Sequence, residues 1–251
     1  MTQRYPRRGV YLLPNLFTTG SLFAGFYSVI AAIHGNYRIA SIVIFVAMLL
    51  DGLHGRIARM TGTQSAFGAE YDSLADVIAF GMAPAILTFL WGLQRFGKFG
   101  WLGAFIFTAC GALRLARFNS QAHSESKRYF QGLPIPTAAV VLASLVWVTT
   151  GEGYPWLNQI AQGLALVLVY LLGLLMVSNI RYRSFKDLDL HGRMPFALAI
   201  ILVLVVAAIS IHPPLMLLIA GIAYTLAGPM VTLWQLHQRR TKRRRSPGGA
   251  D

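Results

Sequence analysis

The sequence predicts an all-α integral membrane protein with about eight transmembrane helices and both termini in the cytoplasm. Three observations lead to this prediction: the composition, the spacing of the apolar segments and the distribution of the basic residues. Of the 251 residues, 55% are hydrophobic and only 12% are charged, and the mean hydropathy is +0.55. A soluble globular domain typically carries about twice that share of charged residues. The composition therefore excludes an ordinary soluble domain.

Eight apolar segments, bounded by turn-forming or charged residues, are candidate membrane spans. They are 16–33, 39–51, 72–93, 99–115, 133–149, 156–177, 196–211 and 214–236. We expect the helix of the second segment to continue past Asp51. Residues 1–236 are predicted to form a single membrane domain, and residues 237–251 a basic cytoplasmic tail.

The basic residues are distributed unequally between the two sides of this arrangement. Of the 22 Lys and Arg residues, all except Arg38, Arg95 and Lys98 lie on the side that holds both termini. Basic residues are concentrated on the cytoplasmic side of membrane proteins, so this side is predicted to be cytoplasmic and the number of spans even. The formal net charge of +13 is then explained by loops that face anionic lipid. We expect membrane lipids as partners and no nucleic acid.

Three aspartates stand at the edges of apolar segments in a chain with only nine acidic residues. Asp51 closes the second segment, and Asp72 and Asp76 open the third. Residues four apart lie on the same face of a helix, so Asp72 and Asp76 should lie side by side, and Gly68, one turn earlier, leaves room for a bulky group. Carboxylates near the membrane core are costly and usually serve chemistry or ion binding.

Carboxylates this close together need a cation between them. A divalent ion held by oxygen ligands and shared with substrate phosphates is the simplest explanation, and Arg56 and Arg59 suit the phosphates. Purely structural ion pairs are the alternative at the level of the site. At the level of function, a cation channel or transporter is the alternative, but it leaves the fixed spacing of glycines and the Ala-Arg pair unexplained.

The stretch from Asp51 to Asp76 resembles the signature of the CDP-alcohol phosphotransferase family, Asp-x2-Asp-Gly-x2-Ala-Arg-x8-Gly-x3-Asp-x3-Asp. Seven of the eight fixed positions match: Asp51, Gly55, Ala58, Arg59, Gly68, Asp72 and Asp76. The exception is His54, which stands where the family has its second aspartate. Segments 11–25, 66–84, 113–119 and 129–136 are similar to the bacterial branch of the family that makes phosphatidylserine, and two spans beyond the family's common six also suit that branch.

This resemblance implies an enzyme that condenses CDP-diacylglycerol with L-serine, releasing phosphatidylserine and CMP. It implies a bacterial inner-membrane protein with its active site on the cytoplasmic side, and a homodimer as a possible assembly. It also implies a divalent metal, Mg²⁺ or Mn²⁺. The signature residues recognise the CDP-lipid and not the acceptor, so glycerol phosphate or inositol phosphate remains an alternative acceptor.

The same resemblance assigns roles to individual residues. Asp51, Asp72 and Asp76 are implied metal ligands, together with His54 at the remaining acidic position, and Asp76 is also the candidate base for the serine hydroxyl. The implied CDP-lipid contacts are Gly55, Ala58, Arg59 and Gly68.

Three further residues have open assignments. Imidazole suits transition metals better than magnesium, so His54 has three interpretations. The enzyme is active with an altered metal preference, or it is active and His54 only forms hydrogen bonds, or it is weakened or inactive. Arg114 and Arg117 are spaced i, i+3 near the end of the fourth segment. They are candidates for the serine carboxylate or a lipid phosphate, with a snorkelling role at the membrane interface as the alternative.

Overall fold

The computed structural model describes residues 12–63, 65–121, 129–150, 155–183 and 210–245, and these ranges are nearly all helical. The α-helices are α1 (Leu12–Ile33), α2 (Tyr37–Thr61), α3 (Ala66–Asp76), α4 (Ala83–Trp91), α5 (Lys98–Gln121), α6 (Ile135–Thr150), α7 (Pro155–Val177) and α8 (Pro213–Arg245). Two short strands, β1 (Tyr129–Gln131) and β2 (Arg181–Arg183), pair in antiparallel fashion. The strand pair is a departure from the purely helical prediction.

Helices α3 and α4 form one continuous rod with a wider turn between them. A π-helical turn, Val77–Met82, joins them, and the backbone N–H of Ala83 donates to the carbonyl of Ile78. Such turns insert one extra residue into an α-helix and are frequent at functional sites. The rod therefore changes its register directly after Asp76.

Six helices of the described ranges are long and apolar enough to cross a membrane. They are Pro14–Ile33, Tyr37–Thr61, Ala66–Trp91, Lys98–Ser120, Asn158–Val177 and Pro213–Thr232. The predicted continuation of the second helix past Asp51 is confirmed, because α2 ends at Thr61. The third helix begins at Ala66, six residues earlier than predicted. The predicted span 196–211 lies largely outside the described residues, so the count of eight and the side of the termini stay predictions.

Helix α6 is the centre of the bundle. It packs against α2, α4, α7 and α8, and much of its length is shielded on all sides. Its fully buried residues include Ala138, Ala139, Leu142, Ala143 and Val146. At 16 residues it is a shorter apolar helix than the six candidate spans. Large apolar side chains of the outer helices, such as Phe23 and Leu49, are instead exposed, as expected of a surface that faces lipid.

Close helix contacts occur at glycine. A Cβ at Gly25 of α1 would lie 2.6 Å from the Cα of Ala79 in the π-helical turn, so only glycine lets these backbones approach so closely. A different requirement holds at Gly132, just after β1, where φ is +79°. The sheet itself is attached to α8 by Tyr182, which is 1% exposed and donates its hydroxyl to the carbonyl of Thr225 at 3.2 Å.

Candidate active site

The predicted aspartates come together between α2 and α3. One carboxylate oxygen from each of Asp51, Asp72 and Asp76 lies within 4.8 Å of the others, and all three residues are half-buried. Asp51 belongs to α2, whereas Asp72 and Asp76 occupy successive turns of α3. The spacing-based prediction that Asp72 and Asp76 share one helix face is confirmed.

The connection between the two helices sets this geometry. Gly62 directly follows α2; its φ of +62° is left-handed and its N–H donates to the carbonyl of Ala58, an ending that favours glycine. Ser65 caps the start of α3, and its hydroxyl accepts the N–H of Gly68 at 3.0 Å. A serine cap of this kind is worth about 1 kcal/mol. Two well-formed helix ends therefore hold Asp51 opposite Asp72 and Asp76.

Among the described residues, the three carboxylates have no lysine or arginine in direct contact. Within the described ranges no Lys or Arg forms a salt bridge with them, and the nearest basic group is the imidazole of His54, 3.6 Å from Asp72. Two ionised carboxylates at this separation repel each other by about 3 kcal/mol at an effective dielectric constant near 20. A divalent cation relieves this repulsion, and oxygen ligands are those that Mg²⁺ and Mn²⁺ prefer. The residues present therefore fit the implied metal.

His54 lies at the edge of this cluster. It is 8% exposed, and its Nε2 is 3.6 Å from Oδ1 of Asp72. Its Nδ1 is 2.9 Å from the carbonyl oxygen of Pro14. A carbonyl only accepts hydrogen bonds, so Nδ1 carries the proton and donates to it. Nε2 is therefore the nitrogen that faces the carboxylates.

Thr18 of α1 is a site residue that the sequence analysis missed. Its hydroxyl oxygen is 2.7 Å from Nδ1 of His54, and its O–H donates to Oδ1 of Asp72 at 3.3 Å. One side chain therefore joins both residues and connects α1 to the acidic cluster. The segment 11–25 that contains Thr18 carries part of the family resemblance, but no spacing rule links a threonine to residues 36 and 54 positions away.

The predicted CDP-lipid residues are arranged along α2 and α3. Gly55 is half-buried, and a Cβ built there meets nothing within 4 Å, so space is open beside the helix one turn beyond Asp51. Ala58 is buried and Arg59 is exposed in the last turn of α2. At Gly68, a Cβ would lie 3.1 Å from Oγ of Ser65. A side chain at Gly68 would thus press on the serine that caps α3, and its role in leaving room near the site stays a prediction.

The two candidate arginines of α5 have different surroundings. Arg117 donates to the carbonyl of Val177 at 3.3 Å and to the side chains of Gln131 and Asn179. These contacts tie α5 to β1 and to the end of α7. Arg114 is 9% exposed and interacts electrostatically with Asp76.

One donor of Arg114 is not used by the described part of the protein. Its shielded Nε has no hydrogen-bond partner among the described residues. A buried donor without a partner is costly. Arg114 therefore has a donor left for an anionic ligand beside Asp76, and the role of Arg117 stays a prediction.

Comparison with known proteins agrees with this geometry. The sequence profile of the CDP-alcohol phosphatidyltransferase family matches residues 11–177, which include every site residue described above. The chain belongs to this family of membrane transferases.

Named relatives within the family are also similar over most of their length. The CDP-diacylglycerol–serine O-phosphatidyltransferase of Helicobacter pylori strain J99 is 41% identical over 200 residues, covering 80% of this chain and 84% of that protein. The protein of the same name from Mycobacterium tuberculosis strain H37Rv is 32% identical over 226 residues, covering 87% and 78%. The archaetidylserine synthase of Methanothermobacter thermautotrophicus is 36% identical over 172 residues, covering 68% and 69%.

Proposed function

We propose that this chain transfers the phosphatidyl group of CDP-diacylglycerol to L-serine and releases CMP. The observation that carries the proposal is the cluster of Asp51, Asp72 and Asp76 at the matched signature positions. Support for serine comes from the relatives, whose names contain serine both in bacteria and in an archaeon whose lipid differs. The acceptor is thus shared by relatives that differ in the lipid.

The acidic residues have two proposed roles, metal binding and proton transfer. Asp51 and Asp72 are the proposed ligands of Mg²⁺ or Mn²⁺, with Asp76 beside them and Nε2 of His54 as a further candidate ligand. When bound, the metal neutralises charge on the diphosphate and stabilises the departing CMP. Asp76 accepts the proton of the serine hydroxyl.

The reaction then balances as a simple displacement. The serine oxygen forms a bond with the phosphorus that carries the diacylglycerol, and the bond from that phosphorus to the CMP oxygen breaks. The hydroxyl proton goes to the carboxylate of Asp76, and CMP leaves with the electron pair of the broken bond. The open space beside Gly55 suits the nucleotide end of the substrate, with Ala58, Arg59 and Gly68 along the same path.

Arg114 is the proposed residue for the anionic part of the acceptor. Its guanidinium is buried near Asp76 and has a donor left unpaired by the described residues. Carboxylates and phosphates form strong charge-assisted hydrogen bonds with guanidinium groups. A serine carboxylate held by Arg114 places the serine hydroxyl on the side of Asp76. Arg117 is the weaker candidate because both of its terminal nitrogens already donate to protein oxygens.

The proposed setting is a bacterial inner membrane with the site on the cytoplasmic side. Residues 1–236 form the proposed membrane domain and 237–251 the tail, and a homodimer is the proposed assembly. The distribution of basic residues supports this orientation. The bacterial origin of the Helicobacter and Mycobacterium relatives supports the membrane.

The decisive experiment measures CMP release from CDP-diacylglycerol by the purified protein with a panel of acceptors. Serine, glycerol 3-phosphate and inositol phosphate are each supplied with Mg²⁺ or Mn²⁺. We expect release with serine well above the other acceptors, and none after chelation of the metal. Preference for a phosphorylated acceptor would indicate a different activity of the same family. Absence of CMP release with every acceptor would overturn the proposed reaction.

A further inference from the structure

A cavity of about 580 Å³ lies at the end of the bundle away from the acidic cluster. Its walls are the turn between α1 and α2, the ends of α4 and α6, and the start of α7. Tyr37, which lines it, precedes Asp51 by fourteen residues of α2. At 1.5 Å per helical residue this is a separation of roughly 21 Å. The cavity is therefore distinct from the acidic site and opens near the opposite membrane face.

The lining of this cavity offers hydrogen-bond donors and positive charge. Arg38 lines it and makes no salt bridge or hydrogen bond with another described residue. Asn36 precedes the first turn of α2 without capping it through its side chain, so the N–H groups at that helix start are left for another acceptor. The residues that line the cavity include no Asp or Glu. Such a helix start beside an arginine attracts anions.

An unpaired amide adds an independent observation. The shielded side-chain oxygen of Asn158, which lines the same cavity, has no hydrogen-bond partner among the described residues. Amide oxygen and nitrogen are interchangeable by a flip of the side chain, so Asn158 can present its NH₂ group instead. In either orientation one amide atom stays without a partner among the described residues, so a small rotation of the side chain toward a ligand in the cavity breaks no hydrogen bond of that atom.

The remaining walls suit the boundary between lipid and water. The Tyr37 hydroxyl donates to the carbonyl of Leu90 at 3.0 Å, and Trp91 is 9% exposed beside it. Aromatic residues of this type are enriched at the level of lipid headgroups. Arg38 is also one of the three basic residues that the charge distribution places on this side.

We propose that this cavity binds a phosphate group, supplied by the headgroup of a phospholipid in the leaflet opposite the acidic cluster. Arg38 and the start of α2 hold the phosphate, and Asn158 contacts its polar substituent. Inorganic phosphate would be recognised by the same groups, and the experiment below distinguishes it from a lipid headgroup.

The test compares lipid retention by the purified protein and matched variants. Wild type, Arg38→Gln, Arg38→Lys and Lys98→Gln are examined by native mass spectrometry with added phosphatidylglycerol, with and without millimolar inorganic phosphate. Lys98 is the control because it is a basic residue of the same membrane side that does not line the cavity. Circular dichroism and CMP release check that each variant folds, since Arg38 is far from the acidic site.

We expect wild type and Lys98→Gln to retain one more phosphatidylglycerol than Arg38→Gln, whose affinity at this site falls by about tenfold. Arg38→Lys should retain part of the binding. If the lipid stays bound when inorganic phosphate is added, the headgroup is supported as the occupant. If phosphate binds to wild type and displaces the lipid, free phosphate is supported instead. Equal lipid retention and equal phosphate binding by wild type, Arg38→Gln and Lys98→Gln would overturn the proposal.

Discussion

The imidazole of His54 and the carboxylate of Asp72 face each other across the gap between α2 and α3, with Nε2 3.6 Å from Oδ1. The opposite nitrogen of the ring is engaged by the carbonyl of Pro14. His54 thus connects the acidic cluster to α1, although it occupies a position where the family has an aspartate.

The first prediction concerns the metal preference that His54 creates. With Nε2 as a ligand, the enzyme should favour Mn²⁺ over Mg²⁺, because imidazole nitrogen binds transition ions better. His54→Asp should shift this preference toward Mg²⁺. The ratio of CMP release rates with the two metals, measured for both proteins, checks this. The same ratio in wild type and variant would show that His54 acts only through its hydrogen bonds.

The second prediction concerns Asp76 as the base. Asp76→Asn removes the proton acceptor and leaves Asp51 and Asp72, so turnover should be abolished while CDP-diacylglycerol binding is largely kept. Turnover assays and equilibrium binding of the CDP-lipid measure the two effects. Glu70→Gln, an exposed carboxylate of the same helix, is the control. A variant that keeps more than about a tenth of wild-type turnover, a barrier change of only about 1.4 kcal/mol, would exclude Asp76 as the base.

The third prediction tests the contribution of Thr18. Thr18→Val removes the hydroxyl that contacts both His54 and Asp72, and hydrogen bonds to charged groups are worth about 1.5–3 kcal/mol, so turnover should fall by at least about tenfold. Thr19→Val is the matched control, since Thr19 is exposed and its hydroxyl contacts the carbonyl of Asn15 and the hydroxyl of Tyr71. Equal turnover rates for the two variants would show that the Thr18 hydroxyl does not contribute to the reaction.

The acidic site could be predicted from the sequence to a large extent, because most of its parts are close in the chain. The four-residue spacing of Asp72 and Asp76 sets their common face, and the motif spacing relates both to Asp51. The contributions of Thr18 and of β2 could not be predicted in this way. Thr18 meets Asp72 across 54 residues, and β2 pairs with β1 across the whole of α6 and α7. Both contacts depend on how the helices pack and leave no periodic pattern.

The fourth prediction concerns the close contact of α1 with the π-helical turn. Gly25→Ala places a Cβ 2.6 Å from the backbone of Ala79, and overpacking of this kind costs about 1–3 kcal/mol. The melting temperature of the protein in detergent should fall. Gly163→Ala on α7 is the control because a Cβ there meets nothing within 4 Å. Equal melting temperatures for the two variants would contradict the described packing.

The fifth prediction concerns topology. Because 22 basic residues are divided so unequally around the spans, a reporter that is active only in the cytoplasm should work when fused after Asp251 or after Lys127. The same reporter should be inactive after Gly151. Cells that express each fusion at equal levels provide the comparison, and reporter activity after Gly151 would refute the eight-span arrangement.

The π-helical turn Val77–Met82 joins α3 to α4, so the number of residues in this turn sets how the two helices are rotated relative to each other. Each residue added to a helix turns the rest of that helix by about 100°. Loss or gain of a single residue in the turn would therefore rotate Asp72 and Asp76 by that angle relative to the buried residues of α4, even if every side chain were kept. A point substitution alters one side chain, whereas a change of length displaces two carboxylates at once. The chain should thus tolerate variation of residue type in this stretch far better than variation of residue number.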